Sequence, residues 1–398
     1  MDIESKRLRR LPPYMLGGLK QLIHEKRRDG IDVIDFGMGN PDLGTPQHIV
    51  DKLCEAAQDK RNHRYSQSKG MYNLRREIAR HYERRFNVVL DPETEAAVVI
   101  GTKEGLAHLA LALLDEGDVA LVPDPTYPIH MYSVVIAGGS VITFPLQEEN
   151  NFVPDLARHV EDIYPKPKVV LISFPHNPTG AVVDLAFFEE LVAYAKRHDI
   201  IVIHDLAYAD LVFDGHQAPS VLQAAGARDV AVEFYSLSKS HSMAGWRIGF
   251  AVGNRRIIDA LARIKSYYDY GIFAPIQIAA IVALRTDEEI VRQTADVYRR
   301  RRDTLIEGLH RVGWDVTPPR ATMFVWAPIP PEYRAMGSVE FSRLLLEEAE
   351  ICVSPGIGFG QRGDGYVRFA LVENEDRIRQ AVRQLRRPLK QLTRREPE

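Results

Sequence analysis

Between about residues 95 and 255, short apolar runs alternate with amphipathic stretches. The runs are Ala96 to Ile100, Val119 to Val122, Val141 to Phe144, Val169 to Phe174, Ile200 to Ile203, Val232 to Tyr235 and Ile248 to Val252. Alternation of this kind predicts βαβ units feeding a largely parallel sheet flanked by helices, an α/β architecture. In such sheets the ligand crevice lies beyond the carboxyl ends of the strands. Polar residues follow the runs directly: Thr102, Asp124 and Tyr127, Asn177, Asp205, and Ser236 with Lys239. After residue 285 the pattern changes to one long charged helix, Glu288 to Val312, and two strand-like runs, Met323 to Trp326 and Tyr366 to Phe369. These predict a smaller α+β domain. The expected partition is an amino-terminal segment, 1–44, joining the small domain, a large domain over 45–285 and the small domain over 286–398.

Composition adds boundaries to this picture. The chain has 398 residues, 45% hydrophobic and 26% charged, with a formal net charge of −3. It is long enough for a large core and has no electrostatic footprint for nucleic acid or an anionic membrane. Cys54 and Cys352 lack metal or disulfide spacing and read as core fillers in a reducing compartment. The amino terminus is charged and then proline-rich, unlike a secretion signal, and no apolar stretch is long enough for a bilayer span, so a cytoplasmic location is expected. The basic stretch from Arg386 to Arg395 reads as a solvated helix face. Gly356 to Gly360 lacks the βαβ context of a dinucleotide loop and reads as a mobile loop near the site.

The most informative segment is Ser236-Leu237-Ser238-Lys239-Ser240-His241-Ser242-Met243-Ala244-Gly245-Trp246-Arg247. A single lysine is ordinarily a surface charge. Here hydroxyl residues and an arginine surround it. A Schiff base needs an amine that loses its proton near neutral pH, which burial beside other cations provides, while Ser236, Ser238 and Arg247 offer a phosphate its donors. The segment resembles the pyridoxal-phosphate attachment pattern of class I and II aminotransferases of fold type I. Similarity extends through Leu11 to Tyr14, Phe36 to Asp42, His204 to Asp210 and Ser354 to Gly360. In that detail the chain resembles the bacterial glutamate-pyruvate (alanine) aminotransferases, close to the LL-diaminopimelate aminotransferases.

That resemblance implies a mostly parallel seven-stranded sheet, a homodimer with shared active sites, small amino-acid and 2-oxo-acid substrates, and pyridoxal 5′-phosphate on Lys239. Asp205 reads equally as a helix N-cap, but a buried carboxylate wants a cation, and the resemblance pairs it with the cofactor's ring nitrogen. Asn177, in Asn177-Pro178-Thr179-Gly180, is a turn residue on its own. By resemblance Asn177 and Tyr208 donate to the cofactor's phenolic oxygen, and Tyr127, otherwise a core-edge aromatic, stacks on its ring. Thr102 and Lys103 open a helix directly after a strand, where free N–H groups favour a phosphate. Tyr65, otherwise an exposed loop tyrosine, reaches the neighbouring subunit's phosphate. Arg368 sits in a strand-like run and takes the substrate carboxylate, flanked by Gly39 and Tyr14, with Asn177 beside it.

The stretch Ser266 to Phe273 carries no arginine, where some aspartate aminotransferases place one for a distal carboxylate. The expected reaction is therefore alanine plus 2-oxoglutarate to pyruvate plus glutamate, by ping-pong kinetics. LL-diaminopimelate, aspartate or methionine transamination stays open. So does a lyase with the same cofactor residues, since fold does not fix reaction type. A non-catalytic regulator would need a DNA-binding domain, and about ten residues precede Leu11.

Overall fold

The computed structural model describes residues 3–12, 16–154 and 163–389. All seven apolar runs are strands of one sheet: β2 (Ala96–Val99), β3 (Val119–Asp124), β4 (Ser140–Pro145), β5 (Val169–Ile172), β6 (Ile201–Asp205), β7 (Ala231–Ser236) and β8 (Gly249–Gly253), after the short β1 (Ile34–Asp35). Their order is β2-β8-β7-β6-β5-β3-β4. Only β8 runs against its neighbours, pairing antiparallel with both β7 and β2.

Side-chain alternation along these strands separates two cores, since successive residues face opposite sides of a sheet. Ala96, Val98, Leu121, Val170, Ile172, Phe250 and Val252 point into one, packed with Leu74, Ile78 and Tyr82 of the helix Tyr72–Phe86 and with Phe188 and Leu191 of Leu185–His198. Ala97, Val99, Ala120, Val122, Val169, Leu171 and Ala251 point into the other, against the helices Thr102–Leu113, Pro128–Ala137 and Arg255–Tyr268. Local chemistry fixes the helix ends. Asp184 accepts from Phe187 N–H at one start, Asn254 from Arg256 and Ile257 N–H at another, and Pro128 opens a third.

A third core gathers Ile34 and Phe36 with the 24-residue helix Glu288–Arg311 and the helices Gly337–Ala349 and Glu375–Leu385. It covers a three-stranded antiparallel sheet of β11 (Ser354–Pro355), β12 (Tyr366–Ala370) and β9 (Phe324–Pro328), in that order. β1 joins β10 (Ile351–Cys352) in parallel. Tyr208, Leu211 and Phe213, which follow β6, also pack into this core and so tie the two sheets' elements together.

Two expectations change. Cys352 is buried but Cys54 is exposed on the helix Gln47–Gln58, so only one thiol fills a core. Residues Gly356–Gly363 form two tight 3-10 turns rather than a mobile loop. Phe359 is buried, and its carbonyl accepts Thr126 N–H at 2.7 Å. Of the basic carboxyl-terminal stretch, residues 390–395 lie outside the described residues. Among the described residues no helix is long and apolar enough to cross a membrane.

Candidate active site

Because β3, β5, β6 and β7 run parallel, their carboxyl ends share one edge, and Asp124, Asp205 and Ser236 are each the last residue of a strand there. Lys239 lies in the short helical turn Leu237–Ser240, whose N-cap Ser236 accepts Ser238 N–H at 3.2 Å. Its Nζ donates to the Gly39 carbonyl at 3.0 Å and stands 5.9 Å from the centre of the Tyr208 ring. Burial, then the positive charges of Arg368 and Arg247, lower this amine to about 7. An ordinary lysine stays protonated three orders of magnitude further up the scale, at about 10.4. Lys239 can therefore be a free base near neutral pH.

Asp205 is buried at the end of β6. Ser173 Oγ donates to its backbone carbonyl at 2.8 Å, and its Oδ2 lies 3.0 Å from His130 Nε2. His130 Nδ1 in turn lies 2.8 Å from Thr126 Oγ1. With Nε2–H donating to the carboxylate, Nδ1 accepts from the threonine, so the chain Thr126–His130–Asp205 has a consistent direction. Asp205 Oδ1 is buried with no hydrogen-bond partner among the described residues. Such an oxygen in a native interior points to a group that completes it.

Arg368, buried on β12, donates from Nη1 to Asn177 Oδ1 at 2.8 Å, and its Nη2 is 3.4 Å from both the Gly37 carbonyl and Ser354 Oγ. Its guanidinium carbon lies 4.0 Å from the Phe324 ring centre and 4.5 Å from that of Phe359. Two aromatic faces thus hold the fork in place. Gly39 has to be small here, since a Cβ would meet the Phe324 ring at 2.5 Å. Accepting from Arg368 turns the Asn177 oxygen toward the arginine and leaves its amide N–H groups for another acceptor. Tyr208 is buried with its ring 5.7 Å from Phe324, and burial pushes its hydroxyl well above the ordinary tyrosine range.

The helix Thr102–Leu113 begins at Gly101, whose φ of +75° suits glycine. A Cβ there would lie 2.2 Å from Arg247 Nη2. The guanidinium therefore closes on the backbone at the helix start, with Thr102 half-buried and the Lys103 side chain exposed. Ser236 and Ser238 are buried alongside. Tyr127 caps the helix Pro128–Ala137 with its ring edge-on to His130 at 5.8 Å. Tyr65 stands apart, 87% exposed with its ring 4.7 Å from Tyr270. No hydrogen bond or ring contact joins it to Lys239, Asp205 or Arg368 within the described residues. Tyr14 lies outside those residues.

Residues 31–385 match the family described as aminotransferase class I and II. The chain belongs to that family. This aminotransferase is 59% identical over 377 residues to the glutamate-pyruvate aminotransferase AlaC of Escherichia coli K12, covering 95% of this chain and 92% of the relative. It is 46% identical over 381 residues to an LL-diaminopimelate aminotransferase of Dehalococcoides mccartyi, covering 96% and 97% of the two chains. Among solved structures, apo-BacF of Bacillus subtilis superposes with a TM-score of 0.93 at 37% identity, covering 97% and 98% of the two chains. An aspartate aminotransferase mutant of Thermus thermophilus gives 0.90 at 30%, covering 97% and 99%. The aminotransferase thus has the α/β fold of its class.

Three contacts around this site escape a reading of the sequence. His130 sits on an apolar helix and carries one faint signal, its position four residues after Thr126. Phe324 lies in a strand-like run and Phe359 in the glycine-rich stretch that reads as a mobile loop, and nothing local to either announces an arginine between their faces.

Proposed function

We propose that this aminotransferase uses pyridoxal 5′-phosphate held on Lys239 and exchanges the amino group between L-alanine and 2-oxoglutarate by a ping-pong mechanism. The observations that support the cofactor reading are the buried Lys239 amine, lowered to about 7, and, at the end of β6, a buried Asp205 oxygen with no partner among the described residues. The residues fit the group. Asp205 Oδ1 would pair with a protonated ring nitrogen, and the Asn177 amide and Tyr208 hydroxyl would donate to its phenolic oxygen. Arg247, Ser236, Ser238 and the N–H groups of Thr102 and Lys103 would hold the phosphate, and Tyr127 would cover a ring face. Once bound, the cofactor supplies an electron sink for the pair left when the substrate's Cα–H bond breaks.

The chain's own residues do the rest. Arg368 grips the α-carboxylate through a bidentate fork, which sets the Cα–H bond relative to Lys239. Lys239 Nζ, as a free base, would take up the Cα proton and release it again on the far side of the amino nitrogen, a 1,3 shift. The substrate preference draws support from the 59% identity to AlaC and from the absence of arginine in Ser266 to Phe273. The 46% identity to LL-diaminopimelate aminotransferases favours that donor as the second reading.

Three results follow. Capture of pyridoxal phosphate by the cofactor-free protein should accelerate as pH rises through about 7 and then level off, because the reacting form of Lys239 is the neutral amine. Stopped-flow absorbance checks this, and a rate still climbing toward pH 10 would contradict it. Arg368→Lys keeps the charge but loses the fork, removing ~2–3 kcal/mol and about 100-fold in kcat/KM, mostly as a raised KM for every amino acid. Steady-state kinetics with alanine and glutamate read it, and an unchanged KM would remove Arg368 from the carboxylate site. His130→Leu leaves Asp205 Oδ2 without its donor and should lower kcat about tenfold. His130→Gln, which can still donate, should recover most of that loss. Equal losses in both variants would make His130 a packing residue only.

The same reading divides the chain near residues 44 and 285 and places the enzyme in the cytoplasm as a homodimer. Tyr65, exposed and apart from its own Lys239, would on this reading serve the partner's phosphate. Mixing Tyr65→Phe chains with Lys239→Ala chains should then give more activity than the mean of the parents. No gain would place Tyr65 outside the partner's site.

A further inference from the structure

A cavity of about 800 Å³ opens away from the Lys239 site, between the helix Tyr72–Phe86, the loop after β6, and the helices Ala274–Leu284 and Glu288–Arg311. Its size lies within the range of small-molecule sites. Buried Phe213 and Leu284 and half-exposed Val291 give the lining an apolar part, while three buried imidazole nitrogens, Nε2 of His81, His216 and His241, have no hydrogen-bond partner among the described residues. Burial, above all, holds His81 at about 3, so this ring is neutral and offers a donor or an acceptor without a charge of its own.

The rim carries a charge surplus. Arg80, Arg84 and Arg285 converge on the single carboxylate of Glu77, at 3.6, 3.2 and 2.8 Å. Arg84 and Arg285 line the cavity while Glu77 does not. The other lining carboxylates are mostly engaged, Asp210 by Arg85 and the Tyr235 hydroxyl, Asp214 by Arg302, and Asp296 by Arg299. Over the lining itself five arginines, Arg84, Arg85, Arg285, Arg292 and Arg299, meet four carboxylates, Asp210, Asp214, Glu288 and Asp296, an excess of one positive charge, with Arg292 also paired to Glu289.

We propose that this cavity is a second binding site, separate from the catalytic one, for a small organic anion with an apolar body. The anionic group sits at Arg84 and Arg285, and the body covers Phe213, Leu284 and Val291. Its walls come from elements of two cores, so an occupant bridges them.

The test is fluorescence titration of the cofactor-loaded enzyme with 1-anilinonaphthalene-8-sulfonate, and in parallel with N-phenyl-1-naphthylamine, which has the same body without the charge. Saturable binding of one sulfonate per chain is expected, with the neutral probe at least about tenfold weaker. Arg285→Gln should weaken the sulfonate about tenfold, and Val291→Trp, which fills the cavity from a half-exposed position, should abolish its binding. Transamination rates and circular dichroism of both variants should match the parent. Equal affinity for the two probes, affinity unchanged in both variants, or displacement of the sulfonate from the parent enzyme by saturating 2-oxoglutarate would each overturn the proposal.

Discussion

Lys239→Ala should abolish transamination, with kcat falling by roughly 10⁴-fold, the upper end of what a positioned acid–base group contributes. On the proposed mechanism the loss is compounded, because one side chain would both anchor the cofactor and move the substrate proton. Lys239→Arg sharpens the claim. A guanidinium keeps the positive charge yet stays protonated at any working pH, so it should fail as completely as alanine. What matters is the ability to lose a proton, which burial, and then the charges of Arg368 and Arg247, confer on this amine and not on a solvated one. Single-turnover kinetics of the purified variants read the result. Measurable activity in Lys239→Arg would contradict the assignment.

The second large effect is at Asp205. Asp205→Asn preserves volume and still accepts from His130, but it removes the negative charge opposite the ring nitrogen. The expected fall in kcat is about 10³-fold, the scale of losing one preorganised electrostatic partner. Cofactor affinity should fall as well, so the measurement is made at saturating pyridoxal phosphate. A variant within tenfold of the parent would reduce Asp205 to a structural partner of His130.

Much of this was legible in the sequence, for physical reasons. Strands buried on both faces leave uninterrupted apolar runs, so all seven sheet strands announced themselves, as did the long charged helix Glu288–Arg311. Asp205, Ser236 and Lys239 were legible because chemistry placed at strand ends sits next to the run it terminates. The reversed direction of β8 was not, since an apolar run carries no sign of polarity. Tyr208 was legible by its distance from Asp205, but its place in the third core depends on packing between distant segments. The Thr126–His130–Asp205 chain spans 75 residues from histidine to aspartate, and the clamp of Phe324 and Phe359 on Arg368 joins β9, a turn and β12. Such contacts exist only after folding. Likewise the packing of Gly356–Gly363 under Thr126 was hidden by a composition that reads as flexible.

The account rests on one claim, that the buried Lys239 site takes an amino group from alanine or glutamate and holds it on the cofactor. Single-turnover absorbance of the cofactor-loaded enzyme, mixed with one amino acid at a time and no acceptor, tests it directly. The account predicts rapid loss of the visible cofactor band with L-alanine and with L-glutamate, and its return on adding pyruvate or 2-oxoglutarate. A band that changes only with LL-diaminopimelate would move the substrate assignment, and a protein that shows no cofactor band after incubation with pyridoxal phosphate would contradict the claim itself.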